Sequence, residues 1–286
     1  MRQVLVIANL TYREASRQPL FFIILAASIG LLFIAPHFTL FTFEETEHIS
    51  MIREVGLATI MVAGLLIAVL SAYFVISAEI TNLTTVMLLS KPVKKGHFIL
   101  GKFLGIIITV IMGMAFLSII FLIIYWIENV APQLKANAQN LRYVDNKHLF
   151  WSDISAVLTG EILLLLKGVY LSFLQVSIIT AVATVLSCHF SLVVTGLGCL
   201  VTFMLGHISE FIYQTLSEMD NFFGVIIGNV FYFLLPNLTN FNIVSLVAVL
   251  SPISITYLAL TTFCCLLYSA LILTIGIIIF NKREIM

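Results

Sequence analysis

Residues 103–127 read FLGIIITVIMGMAFLSIIFLIIYWI. The stretch carries no charged side chain over its whole length. A bilayer core of about 30 Å needs roughly 20 apolar residues in helical form. Apolar and polar residues do not alternate here, as they would in a barrel strand. In hydrocarbon only a helix satisfies its own backbone within one segment. The stretch therefore predicts a membrane-spanning helix, and the rest of the chain repeats the pattern.

Five further runs are long enough to cross: about Leu20 to Leu40, with Pro36 near its end, Val55 to Ala78, Gly168 to Ser187 with an earlier start left open, Phe190 to Gly206, and Ile253 to Phe280. The fourth and fifth spans are separated by almost nothing, so a tight turn is expected at Cys188–His189. Composition agrees. Of 286 residues, 61% are hydrophobic and 10% charged, against about 25% charged in a soluble domain. A water-soluble fold of this make-up would expose large apolar patches. Soluble enzymes, nucleic-acid binders and disordered chains are excluded. The expected fold is an all-α membrane protein of six spans forming one domain, residues 1–286, with no internal repeat.

Net charge is zero, so orientation rests on where Lys and Arg fall. With the N-terminus in the cytoplasm, the inner segments hold Arg2, Arg13, Arg17, Lys91, Lys94, Lys95, Lys102, Lys282 and Arg283. The outer segments hold only Arg53, Lys135, Arg142 and Lys147. Nine against four places both termini inside. Polar residues from Thr11 to Gln18 precede a first run that is itself long enough to span, which argues against a cleaved leader.

Residues 1–18 are too polar to span. Val4, Leu5, Ala8, Tyr12 and Ala15 recur at helical spacing beside Arg2, Arg13 and Arg17, which predicts a helix in the inner membrane interface. Before the last span, Phe222 to Leu235 is a short apolar stretch ended by Pro236. At 14 residues it fits a re-entrant helical hairpin on the outer side better than a full span. Gly224 and Gly228 give it a small face for close helix contact.

Gly96 to Lys102 matches the first seven positions of a phosphate-binding loop. The eighth is Phe103 where Ser or Thr would hold magnesium, and the segment opens a membrane span instead of a soluble helix. It is not read as a nucleotide site. The region around it, from Glu79 to Lys102, is a basic cytoplasmic connection. Thr81 to Leu89 is amphipathic enough for a short helix, which Lys91-Pro92 would end. Gly101 and Gly105 open the next span with a small face. Such a segment either grips a soluble partner or anchors on anionic lipid.

The run from Glu79 to Gly105, above all Leu-Leu-Ser-Lys-Pro-Val (88–93) and Phe-Ile-Leu-Gly-Lys-Phe-Leu-Gly (98–105), resembles the permeases of ABC-2-type ABC transporters. Tyr12-Arg13-Glu14 is similar to their N-terminal interfacial helix. The stretch from Leu234 to Asn242 and the ending Phe280-Asn-Lys-Arg-Glu284 resemble the family's approach to, and exit from, the last span. The branch it looks most like serves gliding motility and nitrous-oxide-reductase maturation. The resemblance covers all six spans. One departure is the charged loop from Asn129 to Ala156.

That resemblance implies an inner-membrane permease working as a dimer, with a second copy or a paralogue. Two separate cytoplasmic ATPase subunits would hold the ATP and magnesium and carry out hydrolysis, leaving no catalytic site or cofactor on this chain. The loop would supply the coupling helix, with Glu79, Leu89, Lys91, Pro92 and Lys95 as the coupling residues. The process would be export of a substrate. A different class of function is a membrane scaffold or mechanical transducer that moves nothing. An intramembrane enzyme would need paired ligands or carboxylates facing one cavity, which the spans do not contain.

Polar residues near the spans complete the list. Glu161 and Lys167 lie six apart, about 240° around a helix, so they do not face one another. Either they serve a function within the membrane or they sit at the outer interface, with Lys167 snorkelling. His189 and His207 bracket the fifth span and are expected at its interfaces. Met112 and Met114 point to different faces, and the four cysteines in apolar runs read as small hydrophobes.

Overall fold

The computed structural model describes residues 2–38, 45–81, 95–132, 147–217, 238–241 and 253–282. Seven α-helices occupy most of them. They are α1 (Arg2–Ser16), α2 (Pro19–Phe38), α3 (Glu45–Thr81), α4 (Lys95–Tyr125), α5 (Lys147–Ser187), α6 (Leu192–Ser217) and α7 (Ile255–Lys282). One π turn, Trp126–Val130, continues α4, and a short 3-10 turn covers Thr239–Phe241. There is no strand among the described residues.

All of these helices except α1 are long and apolar enough to cross a membrane. The six candidate spans are Pro19–His37, His48–Ser77, Gly96–Glu128, Gly160–Ser187, Leu192–Ser209 and Ile255–Phe280. This is the architecture of a multi-pass helical membrane protein. The anticipated coupling helix and re-entrant hairpin, with Gly224 and Gly228, fall in stretches outside the described residues.

The bundle is built around α3, α4 and α5. Leu57, Ile60 and Ile67 of α3 pack with Ile106, Val110 and Leu117 of α4 and Leu165, Leu171 and Ile178 of α5, all buried. Small residues set the spacing. A Cβ on Gly64 would stand 2.8 Å from Met114 and 3.3 Å from Val176, and one on Gly113 would stand 2.8 Å from Ile67. α5 is the most enclosed span, whereas α2, α6 and α7 turn most of their surface outward. Outward Leu, Ile and Phe on those helices are what a hydrocarbon solvent favours.

The fourth span takes the earlier start that the sequence leaves open, since α5 runs unbroken from Lys147 and its apolar span includes Gly160. Glu161 and Lys167 interrupt the apolar run, yet each finds a partner in the bundle and the helix passes through both. On α1 the expected stripe holds at Ala8 and Ala15, which are buried with Thr11, and at Val4 and Tyr12, which are half-buried, while Leu5 turns outward at 65% exposed. The helix packs closely against α4, where Ile7 and Thr11 face Gly101 and Gly105.

Helix lengths place the polar residues in depth. α5 has 41 residues, about 61 Å of helix against a core of about 30 Å. Measured back from Ser187 at the turn into α6, Lys167 lies about 30 Å along the axis and Glu161 about 39 Å. Lys167 is thus about one core thickness from that turn, and Glu161 about 9 Å further along the helix.

Candidate functional site

The first turns of α4 form a docking surface for α1. A Cβ on Gly101 would come 2.7 Å from Ile7 Cβ and 3.2 Å from the Val4 carbonyl oxygen. One on Gly105 would come 2.5 Å from Thr11 Cβ and 2.6 Å from the Ala8 carbonyl oxygen. Glycine at both positions lets the two helices touch through their main chains, as small-residue pairs do in membranes. Between them, Lys102 is only 2% exposed. Its Nζ lies 3.9 Å from Glu14 Oε2 on α1 and 5.7 Å from the centroid of the Phe98 ring. The ammonium thus has a carboxylate and an aromatic face beside it.

The same end gathers other elements. Phe98 stacks on Phe280 of α7 at 6.4 Å between centroids. His189, in the turn between α5 and α6, presents its ring edge-on to Phe280 at 6.2 Å. Cys188 and His189 make that turn through backbone bonds to Val185 and Leu186. α3 and α4 run antiparallel, so α3 also ends here, with Glu79 in its last turn and Lys95 as the first residue of α4. Leu89, Lys91 and Pro92 lie outside the described residues. The structure thus brings the helix ends carrying Glu79 and Lys95 together with Gly101, Gly105 and α1.

The opposite end is held by side chains. Arg53 of α3 donates from Nε to the Tyr125 hydroxyl at 3.1 Å. That hydroxyl donates to Glu161 Oε2 of α5 at 2.5 Å. Arg53 Nη2 stands 3.8 Å from the same carboxylate oxygen, and the guanidinium lies 5.7 Å from the Tyr125 ring centroid. Tyr125 is 1% exposed and Arg53 6%. One cation, one phenol and one carboxylate therefore tie together the far ends of three helices. Close packing supports them, since a Cβ on Gly56 would fall 2.0 Å from the Phe121 ring.

Further polar ties converge on α5. Lys167 Nζ donates to the Ile253 carbonyl at 2.8 Å, just before α7. Tyr170 and Thr262 share a hydrogen bond at 2.8 Å, and Cys265 Sγ donates to the Leu174 carbonyl at 3.3 Å. Gln175, fully buried, meets His207 of α6 with 3.0 Å between the amide and ring nitrogens. The His207 Nδ1–H donates to the Phe203 carbonyl at 2.9 Å. This leaves Nε2 as the acceptor for the Gln175 amide. The Gln175 amide oxygen has no hydrogen-bond partner. His207 links α5 to α6 near the end of the candidate span Leu192–Ser209.

Glu161 and Lys167 thus act in separate contacts, as their angular offset requires. Arg53, Tyr125, Gln175 and the Glu14–Lys102 pair were not singled out from the sequence. Their partners are far away along the chain, and each residue alone looks like an ordinary feature of a span end. Met112 is 53% exposed and Met114 is 2% exposed, on different faces. All four cysteines are free thiols. Among the described residues no group of three His, Cys, Asp or Glu side chains is placed to hold a metal ion. No family model and no curated protein sequence matches this chain.

Proposed function

We propose that this chain is the transmembrane permease subunit of an ABC-2-type ABC transporter, exporting its substrate with energy from separate cytoplasmic ATPase subunits. The observation that carries the reading is the build of the α1 end. There the α3 and α4 termini that bracket residues 82–94 lie beside α1, and α1 is fixed to α4 through main-chain contact at Gly101 and Gly105. A force applied to the 82–94 connection would act on α3, α4 and α1 together. The resemblance over residues 79–105 and the excess of Lys and Arg at this end support placing it in the cytoplasm.

In this reading the ATPases bind ATP and magnesium, and their closure pushes the connection through Glu79, Leu89, Lys91, Pro92 and Lys95. A dimer of permeases then shifts between two states of access. Such a shift requires only that the ATP-bound partner favour one state over the other. The test is to replace Lys91 and Pro92 with alanine, and separately Glu79 with alanine, in the native complex. Co-purification of the ATPase and ATP-dependent vesicle transport should both fall. Unchanged association and transport would overturn the coupling role. A complex that hydrolyses ATP yet moves nothing across vesicles would instead favour a mechanical transducer.

A further inference from the structure

The apolar stripe that the sequence of α1 offers to a membrane is taken up by protein. Ala8, Thr11 and Ala15 are buried and Val4 is half-buried, with α4 in main-chain contact at Gly101 and Gly105. The face left open is the opposite one. Arg2, Arg13 and Arg17 are all exposed, and at 3.6 residues per turn they fall within about 60° of one another, across the helix from Ala8 and Ala15. Val6 and Leu10, also exposed, share that arc. The only acidic residue of α1, Glu14, is turned toward Lys102. None of the three arginines has an ion-pair partner among the described residues.

Position and charge together identify what covers this face. Arg17 stands two residues before Pro19, where the first candidate span begins. Backbone bonds from Arg17 to Glu14 and from Gln18 to Ala15 close the junction, so α1 has no slack and stays at the mouth of that span. Unpaired guanidinium groups are costly in hydrocarbon, whereas exposed Val6 and Leu10 are favoured there. A layer of lipid headgroups meets both demands. The sign of the layer follows from three cations and no carboxylate on the arc, which select a negative surface. Arg13 and Arg17 are one turn apart, with Cβ atoms about 5–6 Å from each other. Two guanidinium forks at that spacing can close on one phosphate. Arg2, about 16 Å along the axis from Arg13, reaches another. A choline headgroup sets its own cation beside its phosphate, while an anionic lipid leaves that charge open to arginine.

We propose that the basic face of α1 is a binding site for anionic phospholipid, with Arg13 and Arg17 closing on one headgroup, Arg2 holding a second, and Val6 and Leu10 set among the first carbons of the acyl chains. The inference needs only a bilayer and is independent of the permease reading. The experiment uses the full chain carrying Trp126→Phe and Trp151→Phe, with Leu10→Trp as the single reporter. It is placed in vesicles of equal parts phosphatidylglycerol and phosphatidylcholine, with bromine on the acyl chains of one lipid or the other. Brominated phosphatidylglycerol should quench the reporter about fivefold more strongly than brominated phosphatidylcholine, the factor for one arginine at a charged surface. Arg13→Gln with Arg17→Gln should bring the ratio close to one. A reporter at Phe263→Trp, on the exposed face of α7, should show no preference. If the tryptophan replacements do not fold, native mass spectrometry of the chain with both tryptophans reads the same comparison. It should retain phosphatidylglycerol over phosphatidylcholine, and the double arginine variant should lose that excess. Equal quenching or retention of the two lipids would overturn the proposal, as would a preference that survives removal of all three arginines. So would a reporter at position 10 that neither lipid quenches, which would assign the face to a soluble acidic partner.

Discussion

The two ends of the bundle are closed in different ways. At the α1 end, helices meet main chain to main chain across Gly101 and Gly105. At the other end, α3, α4 and α5 meet through the side chains of Arg53, Tyr125 and Glu161. Close backbone contact leaves no intermediate arrangement, because a helix pair either fits or separates. A clasp of polar side chains can open by rotamer changes. The α1 end is therefore suited to moving as one body, and the far end to opening and closing.

The largest effect expected on this contrast comes from Gly105→Leu. Its side chain would collide with the Ala8 carbonyl and Thr11, and overpacking of this kind costs about 3 kcal/mol at the upper end. Unfolding in mixed denaturing micelles should show it, with α1 more open to protease. Gly30→Leu, where a Cβ meets nothing within 4 Å, should unfold like the parent.

Gly56→Ala comes next, at about 2 kcal/mol, because the new methyl meets the Phe121 ring. Here the obstacle is a side chain, so Phe121→Leu should recover part of the loss. No single side-chain change should rescue Gly105→Leu, and equal rescue at both sites would erase the distinction between the ends.

Tyr125→Phe removes the hydroxyl that joins Arg53 to Glu161. The expected loss is about 1.5 kcal/mol, at the lower end for hydrogen bonds to charged groups. Both partners retain a direct contact with each other. A double-mutant cycle with Glu161→Gln should show coupling, and additivity would mean that the three groups do not act as one clasp.

The smallest effect is predicted between the ends. Gln175→Leu loses the bond to His207 but also removes an amide oxygen that has no partner. Membrane hydrogen bonds average about 0.6 kcal/mol, so the net change in stability should be close to zero. A large loss would show that α6 is held by this pair and not by apolar packing.

Six spans were legible because uninterrupted apolar length is a local signal. The onset of α5 stayed open, since Glu161 and Lys167 break the run and their partners, Arg53, Tyr125 and Ile253, arrive from elsewhere in the chain. Gly101 and Gly105 were visible as a small face, but the helix they receive was not. On α1, Ala8 and Ala15 were legible, whereas Leu5 was placed in the stripe by its hydrophobicity and Thr11 was left out of it, because the helix that packs there was not visible. The clasp left no trace in periodicity. Arg53 and Tyr125 are separated by 72 positions, and each alone resembles a normal residue of a membrane boundary.

The abrupt turn between α5 and α6 bears on how the chain enters the bilayer. These two helices are the least apolar of the six spans, and only 188–191 separate them. During synthesis they would leave the insertion machinery together as a helical hairpin, with Gln175 reaching His207 before lipid surrounds either one. Lengthening that turn should delay their integration while leaving the finished protein's stability almost unchanged.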